Sequence, residues 1–165
     1  MNAADSFATL LDLHAELDGL FAEHQFALLH FDFDRALAKL RDYERCLLAH
    51  MVDEEEYLIP IYAERGEIPR AGAPKLFLDD HEKMRAHLSL FIETTGTLKD
   101  EKEPEALVIR LLDREAFFKR LCGHHDIRER EILYPVLDAV TEATERAALI
   151  EQSMKAAAEA RGSSG

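Results

Sequence analysis

The chain has 165 residues, 47% of them hydrophobic, and carries 33 Asp and Glu against 20 Lys and Arg, a formal net charge of −13. This length suits one domain whose core is large enough to fold without disulfide support. The acidic balance excludes an electrostatic grip on phosphate backbones, so neither nucleic acid nor an anionic membrane is expected as a partner. The two cysteines, Cys46 and Cys122, show no Cys-x-x-Cys spacing and so indicate neither a disulfide scaffold nor a zinc ribbon. The opening residues, Met1 to Asp5, lack the basic-then-apolar run of a signal peptide, and no apolar stretch approaches the ~20 residues that span a bilayer. A cytoplasmic location is expected, and the charge alone leaves a homo-oligomer open.

Apolar spacing predicts helices along the whole chain. Leu10, His14, Leu17, Phe21, His24 and Leu28 alternate steps of four and three, which is one stripe of a first helix. Phe31-Asp-Phe-Asp34 breaks that pattern, and Asp34 is expected to cap a second helix. Its stripe runs through Leu40, Tyr43, Leu47, His50, Glu54 and Leu58. Pro60 should kink or end the regular part, because proline lacks a donor and clashes with the preceding turn. Gly66 and the breaker-rich residues 69–74 read as a long connection. A third helix carries Leu78, His81, Met84 or Arg85, Leu88 and Ile92. Pro104 is placed to begin a fourth, where a missing amide hydrogen costs nothing. Its stripe is Val108, Leu111, Glu115, Phe118, Cys122, His125, Glu129, Ile132 and Val136.

Residues 138–160 are alanine-rich and weakly amphipathic, a fifth helix packed outside the others. The expectation is an all-α domain: an up-down-up-down four-helix bundle over residues 1–138, an additional C-terminal helix over 139–161, and a flexible tail at 162–165.

The chemistry lies in an internal repeat. Residues 50–61, HMVDEEEYLIPI, align without gaps on residues 125–136, HDIREREILYPV, sharing the frame His-x-x-x-Glu-x-Glu-x-Leu-x-Pro. Residues four apart on a helix lie roughly 5–6 Å apart between Cβ atoms, so one imidazole and one carboxylate can reach a common metal. Hairpin symmetry supplies the remaining ligands. His14 and His50 each stand 18 residues from a turn near residue 32, and His81 and His125 each 22 residues from a turn near 103.

A lone histidine on an apolar face is usually a hydrogen-bonded core residue. Six ionisable groups in one bundle centre, His14, His50, Glu54, His81, His125 and Glu129, would instead carry a large desolvation penalty that a cation offsets. Imidazole and carboxylate without thiolate suit iron first, with manganese or zinc behind it. Six ligands suit two iron ions. Bridging by Glu54 and Glu129 would give each metal two histidines and two carboxylate oxygens, with room for a bridging oxide or hydroxide and an open position. Oxygen or a related small molecule fits such a position.

Other residues read more plainly. His124 competes with His125 as a ligand, but the Pro135 register and the stripe favour His125. His24 lies about 15 Å along the axis from His14 and is expected in a core or supporting role. His30 and His87 read as surface or rim residues, Tyr43 as core, and Cys46 and Cys122 as small apolar packing. Arg85 either faces inward, to pair with Glu115 or meet an anionic ligand, or faces solvent. Glu55, Glu56 and Glu131 read as a solvated acidic face.

On His50-Met-Val-Asp-Glu54-Glu55 before Pro60, His125-Asp-Ile-Arg-Glu129 before Pro135, and the single His14 and His81, the chain resembles the hemerythrin-like, or HHE cation-binding, family over about residues 10–138. The resemblance implies a four-helix bundle holding a non-haem diiron centre. Arg85 stands where oxygen-carrying hemerythrins have a fifth histidine, and the last frame ends in Glu129 rather than a later aspartate. The set is thus closer to the diiron domain of bacterial iron-centre repair proteins, linked to nitrosative stress. That implies binding or reduction of oxygen, peroxide or nitric oxide in stress response or sensing. The alternative is an iron-responsive interaction module without turnover.

Overall fold

A computed structural model describes residues 6–162, all in helices and their connections, with no strand among the described residues. Except for Gly162, the expected tail falls outside the described residues, as do Met1 to Asp5. No helix among the described residues is long and apolar enough to cross a membrane.

A tight turn, Phe7–Leu10, leads into α1, Leu11–Leu29. The following turn is compact because Phe31 takes a left-handed conformation, φ 57°. Its amide bonds the Leu28 carbonyl, while that of Asp32 reaches back to Ala27 at 3.0 Å, a Schellman closure of α1. Asp32 then caps α2, Phe33–Asp53, its Oδ1 accepting from the Arg35 amide at 3.2 Å. The cap is therefore Asp32 rather than the expected Asp34, which already lies in the first turn and there faces the positive end of the helix dipole.

Pro60 neither breaks nor ends the helix. It forces one wide π-helical turn, Glu54–Leu58, before α3, Ile59–Arg65. Proline offers no amide for the bond back to residue 56, and the Ile59 amide reaches five residues back to the Glu54 carbonyl. The repeat does the same: after α5, Glu105–Arg128, a π turn at Glu129–Leu133 precedes α6, Tyr134–Val140, with Tyr134 bonded to the Glu129 carbonyl. The extra residue shifts the phase of the buried stripe. Leu133 and Leu137 are fully buried in place of the expected Ile132 and Val136.

Between the halves, the connection is pinned rather than loose. The Tyr62 hydroxyl donates to the Gly72 carbonyl at 2.7 Å. A Cβ on Gly72 would lie 2.5 Å from both that hydroxyl and Ile132 Cγ2, so only glycine permits this approach. Helix α4, Pro74–Thr97, buries Phe77, His81, Met84, Leu88 and Phe91. Phe77 and Phe91 replace the expected Leu78 and Ile92, one residue round the helix in each case; steps of three and four into His81 fit either choice. Helix α7, Ala143–Gly162, lies against α2 and the Phe7–Leu10 turn. Asp53 holds it, accepting from Gln152 Nε2 at 3.0 Å and from Ser153 Oγ.

Helix α1 packs on α2 and α5, α2 also on α4, and α4 on α5. Burial is divided between two apolar clusters, one around Leu17, Phe21, Leu47, Met84 and Phe118, the other around Leu10, Leu58, Phe77, Leu133 and Tyr134. On every one of these helices the histidines and glutamates of interest fall between the two clusters. Apolar side chains, each worth ~1.5–3 kcal/mol when buried, thus brace a polar layer from both ends.

Candidate metal centre

His14 projects from α1, His50 from the last turn of α2, His81 from α4 and His125 from the last turn of α5, while Glu54 and Glu129 open the two π turns. All six are buried, and Glu54, His81 and Glu129 have no exposed surface.

The histidines meet in pairs. His14 Nε2 lies 3.1 Å from His50 Nε2, and His81 Nε2 lies 3.1 Å from His125 Nε2. Both carboxylates reach both pairs. Glu129 places Oε2 3.2 Å from His14 and Oε1 2.6 Å from His125. Glu54 places Oε1 3.5 Å from His50 and Oε2 3.3 Å from His81. Donor atoms of Glu54, His81, His125 and Glu129 all lie within 4.8 Å of one another, and so do those of His14, His50 and Glu129. The two groups share Glu129.

These contacts are close without being mutually satisfying. Glu54 Oε2, Glu129 Oε1, His14 Nδ1 and His125 Nδ1 are buried with no hydrogen-bond partner. Orphaned polar atoms are rare in native cores and costly. The two carboxylate oxygens, which lie among the paired Nε2 atoms, match the donor chemistry of a cation site, while the two Nδ1 atoms face outward toward Asp126 and Asp80. Each of the two groups present could therefore hold a metal ion.

Burial and mutual charge set the protonation states. Burial pushes His50 down to about 4 and lowers His14, which keeps both imidazoles neutral and ready to donate a lone pair. Burial, reinforced by the Glu54 charge, pushes the Glu129 carboxyl up to about 8. Burial also opposes ionisation of Glu54, but His50, His125 and His81 outweigh it and hold that carboxyl well below the usual range.

A ring of outer carboxylates faces the Nδ1 side of three histidines, and each comes from a neighbouring element. Glu55 Oε1 lies 2.8 Å from His81 Nδ1, Asp80 Oδ2 3.7 Å from His125 Nδ1, and Asp126 Oδ1 3.5 Å from His14 Nδ1. Carboxylates so placed fix the tautomer and orientation of a ligating histidine. Arginines hold two of them. Arg85 forks onto Glu55 at 2.9 and 3.0 Å, and Arg128 donates to Asp80 at 2.6 Å. Above the cluster the Tyr134 hydroxyl points between Glu54 and Glu129, 3.3 and 3.5 Å away.

Asp80, Asp126 and Tyr134 were not singled out in the sequence. The available signal was an acidic residue beside each frame and beside His81, as in Asp80-His81, His125-Asp126 and Glu54-Glu55. Glu55 is a correction: it binds His81 and Arg85 rather than belonging to a solvated face. Arg85 meets Glu55, not Glu115. Glu115 is taken by His24, fully buried with Nε2 2.8 Å from Glu115 Oε1 and Nδ1 2.8 Å from the Ala36 carbonyl. His124, His30, Glu56 and Glu131 are exposed. His87 packs its ring against Phe91, Phe117 and Phe118. No known family, no curated protein and no solved structure matches the chain.

Proposed function

We propose that the chain is a hemerythrin-like up-down-up-down four-helix bundle with an additional C-terminal helix, in which His14, His50, Glu54, His81, His125 and Glu129 hold two iron ions. It binds or reduces oxygen, peroxide or nitric oxide, in stress response or sensing. One observation carries this reading: two donor groups share the Glu129 carboxylate inside a buried layer where Glu54 Oε2 and Glu129 Oε1 have no hydrogen-bond partner. A non-haem iron pair supplies a change of redox state and an open position for a small ligand.

The chain's own residues do the rest. Glu55, Asp80 and Asp126 orient the imidazoles, the apolar clusters above and below exclude bulk water, and the Tyr134 hydroxyl can pass a proton to or from the carboxylates. The absence of thiolate among the donors favours iron over copper(I), with manganese and zinc as competitors.

The test is metal analysis by mass spectrometry on protein purified without a nickel column and reconstituted with iron. The expected result is two ions per chain, one for each donor group, with a visible band that moves on adding azide or nitric oxide. A stoichiometry far below two rejects the reading.

One observation favours the second reading, an iron-responsive interaction module. Asp53, which anchors α7, immediately precedes Glu54. Metal loading at Glu54 and the seating of α7 therefore share one stretch of backbone. Melting and oligomeric state compared with and without iron test it, and no change in either rules it out.

A further inference from the structure

Two small internal cavities touch the donor layer. One, about 20 Å³, is bounded by His14, His50 and His125 together with Asp18, Tyr43 and Cys122. It is large enough for a water-sized or diatomic molecule and too small for an organic substrate. Outside it lies a depression of about 240 Å³ between α1, α2 and α5, whose lining also includes Asp18, Tyr43 and Cys122. The same three side chains thus form the wall between the inner cavity and the surface. Within that wall Tyr43 and Cys122 are joined by one weak contact, hydroxyl to Sγ at 3.9 Å. The Tyr43 ring is held by Phe21, 4.8 Å between centroids, and by Phe118 at 6.1 Å.

The second cavity, also about 20 Å³, touches His50 alone among the histidines and adjoins a larger groove between α1 and α2 beside the end of α7. Its wall contains the Glu16–Arg161 ion pair and Cys46. An ion pair is harder to part for a neutral molecule than a weak hydroxyl–thiol contact, and this path reaches a single histidine rather than three.

We propose that small ligands reach the cluster between α1, α2 and α5, past the Tyr43–Cys122 contact, which sets how fast and how large a molecule can pass. This inference rests on the function proposed above. Cys122 and Tyr43 belong to neither donor group, so a change there acts on the barrier and leaves the metal's own ligands in place. Association and dissociation must then change by the same factor.

The experiment is stopped-flow binding of azide to the iron-loaded full chain in Cys122→Ala and Cys122→Leu, with Cys46→Ala and Cys46→Leu as the matched pair on the α7 side. Opening the wall in Cys122→Ala should speed both association and dissociation about tenfold, the effect of lowering a barrier by ~1.4 kcal/mol. Cys122→Leu should slow both, and the dissociation constant should hold in each. Rates that follow the Cys46 pair place the path along α7 and overturn the proposal; rates that follow neither pair also overturn it.

A second readout needs no metal. In the metal-free chain, Tyr43→Leu should accelerate modification of Cys122 by methyl methanethiosulfonate, followed by peptide mass spectrometry, while Cys46 keeps its rate. An unchanged Cys122 rate shows that the two residues do not close a common wall. Failure of iron binding would instead count against the proposed function and leave this labelling test standing.

Discussion

Glu129 and Glu54 occupy matching places in the repeat, yet their replacement by glutamine should have opposite consequences. Glu129 belongs to both donor groups, whereas Glu54 belongs only to the group containing His81 and His125. In the metal-free chain burial and the Glu54 charge push the Glu129 carboxyl up to about 8, so at pH 7 it is mostly protonated. Glutamine closely mimics that neutral form. Glu129→Gln should therefore hold metal-free stability within ~1 kcal/mol of the parent. Metal at a hundredfold excess over its dissociation constant contributes ~2.7 kcal/mol, which for a chain of this size raises the melting temperature by roughly 5–11 °C. Glu129→Gln should abolish that rise.

Glu54 is held ionised by His50, His125 and His81, and its loss leaves the protonated His125 imidazole without that counter-charge. Glu54→Gln should cost ~1–3 kcal/mol before any metal is added. It should keep part of the metal-induced rise through His14, His50 and Glu129. Calorimetry at pH 7 with and without iron, joined to a metal count, reads both variants. The reasoning is refuted if Glu129→Gln keeps the full rise, or if it loses 2 kcal/mol or more without metal.

Asp80→Asn and Asp126→Asn should each weaken iron binding by ~10–100-fold, read by competition with a chelator, while circular dichroism stays unchanged. His24→Ala leaves Glu115 buried with only Gln25 as a partner; it should cost ~3–5 kcal/mol in urea unfolding and leave iron affinity intact. Phe31→Asn should stabilise the chain by about 1 kcal/mol, since asparagine tolerates the left-handed conformation better than phenylalanine does. Iron affinity should fall with acidity below pH 8, by up to about tenfold per pH unit, because iron must displace the proton that Glu129 carries there. Isothermal titration in buffers of different ionisation enthalpy reads that proton, and a proton count of zero at pH 7 would contradict the assignment.

The helices were legible because steps of three and four recur through α1, α2, α4 and α5, and the six residues of the polar layer lay on those stripes. What spacing could not show was phase. A step of three or four into His81 fits Leu78 as well as Phe77, and only packing against α5 selects Phe77. The π turns were hidden for a related reason: proline announces a disturbance, but whether the helix stops, bends or widens depends on what the next turn can bury. Leu133 and Leu137 on one side, and Leu58 and Tyr62 on the other, make widening favourable by returning an apolar face to the core. The outer carboxylates left only their adjacency to the ligands in sequence, because each acts on another element's histidine, a relation that no spacing within one helix encodes.

That crossed arrangement determines what a cation would do for the polar layer. Two imidazole nitrogens 3.1 Å apart must hold a proton between them if nothing else does. On the neutral His14 ring a proton placed on Nε2 is a proton missing from Nδ1, where Asp126 stands as acceptor and no hydrogen bond is made. Without a cation the layer therefore satisfies its centre at the expense of its rim, and Glu129 must stay protonated beside Glu54. Positive charge at the two shared points reverses each of these assignments together: all four Nε2 atoms become lone-pair donors and both glutamates ionise. The Nδ1 proton of His14 then turns toward Asp126, as that of His81 already meets Glu55. Metal binding and the final ordering of the His14 side of the layer should therefore be one event.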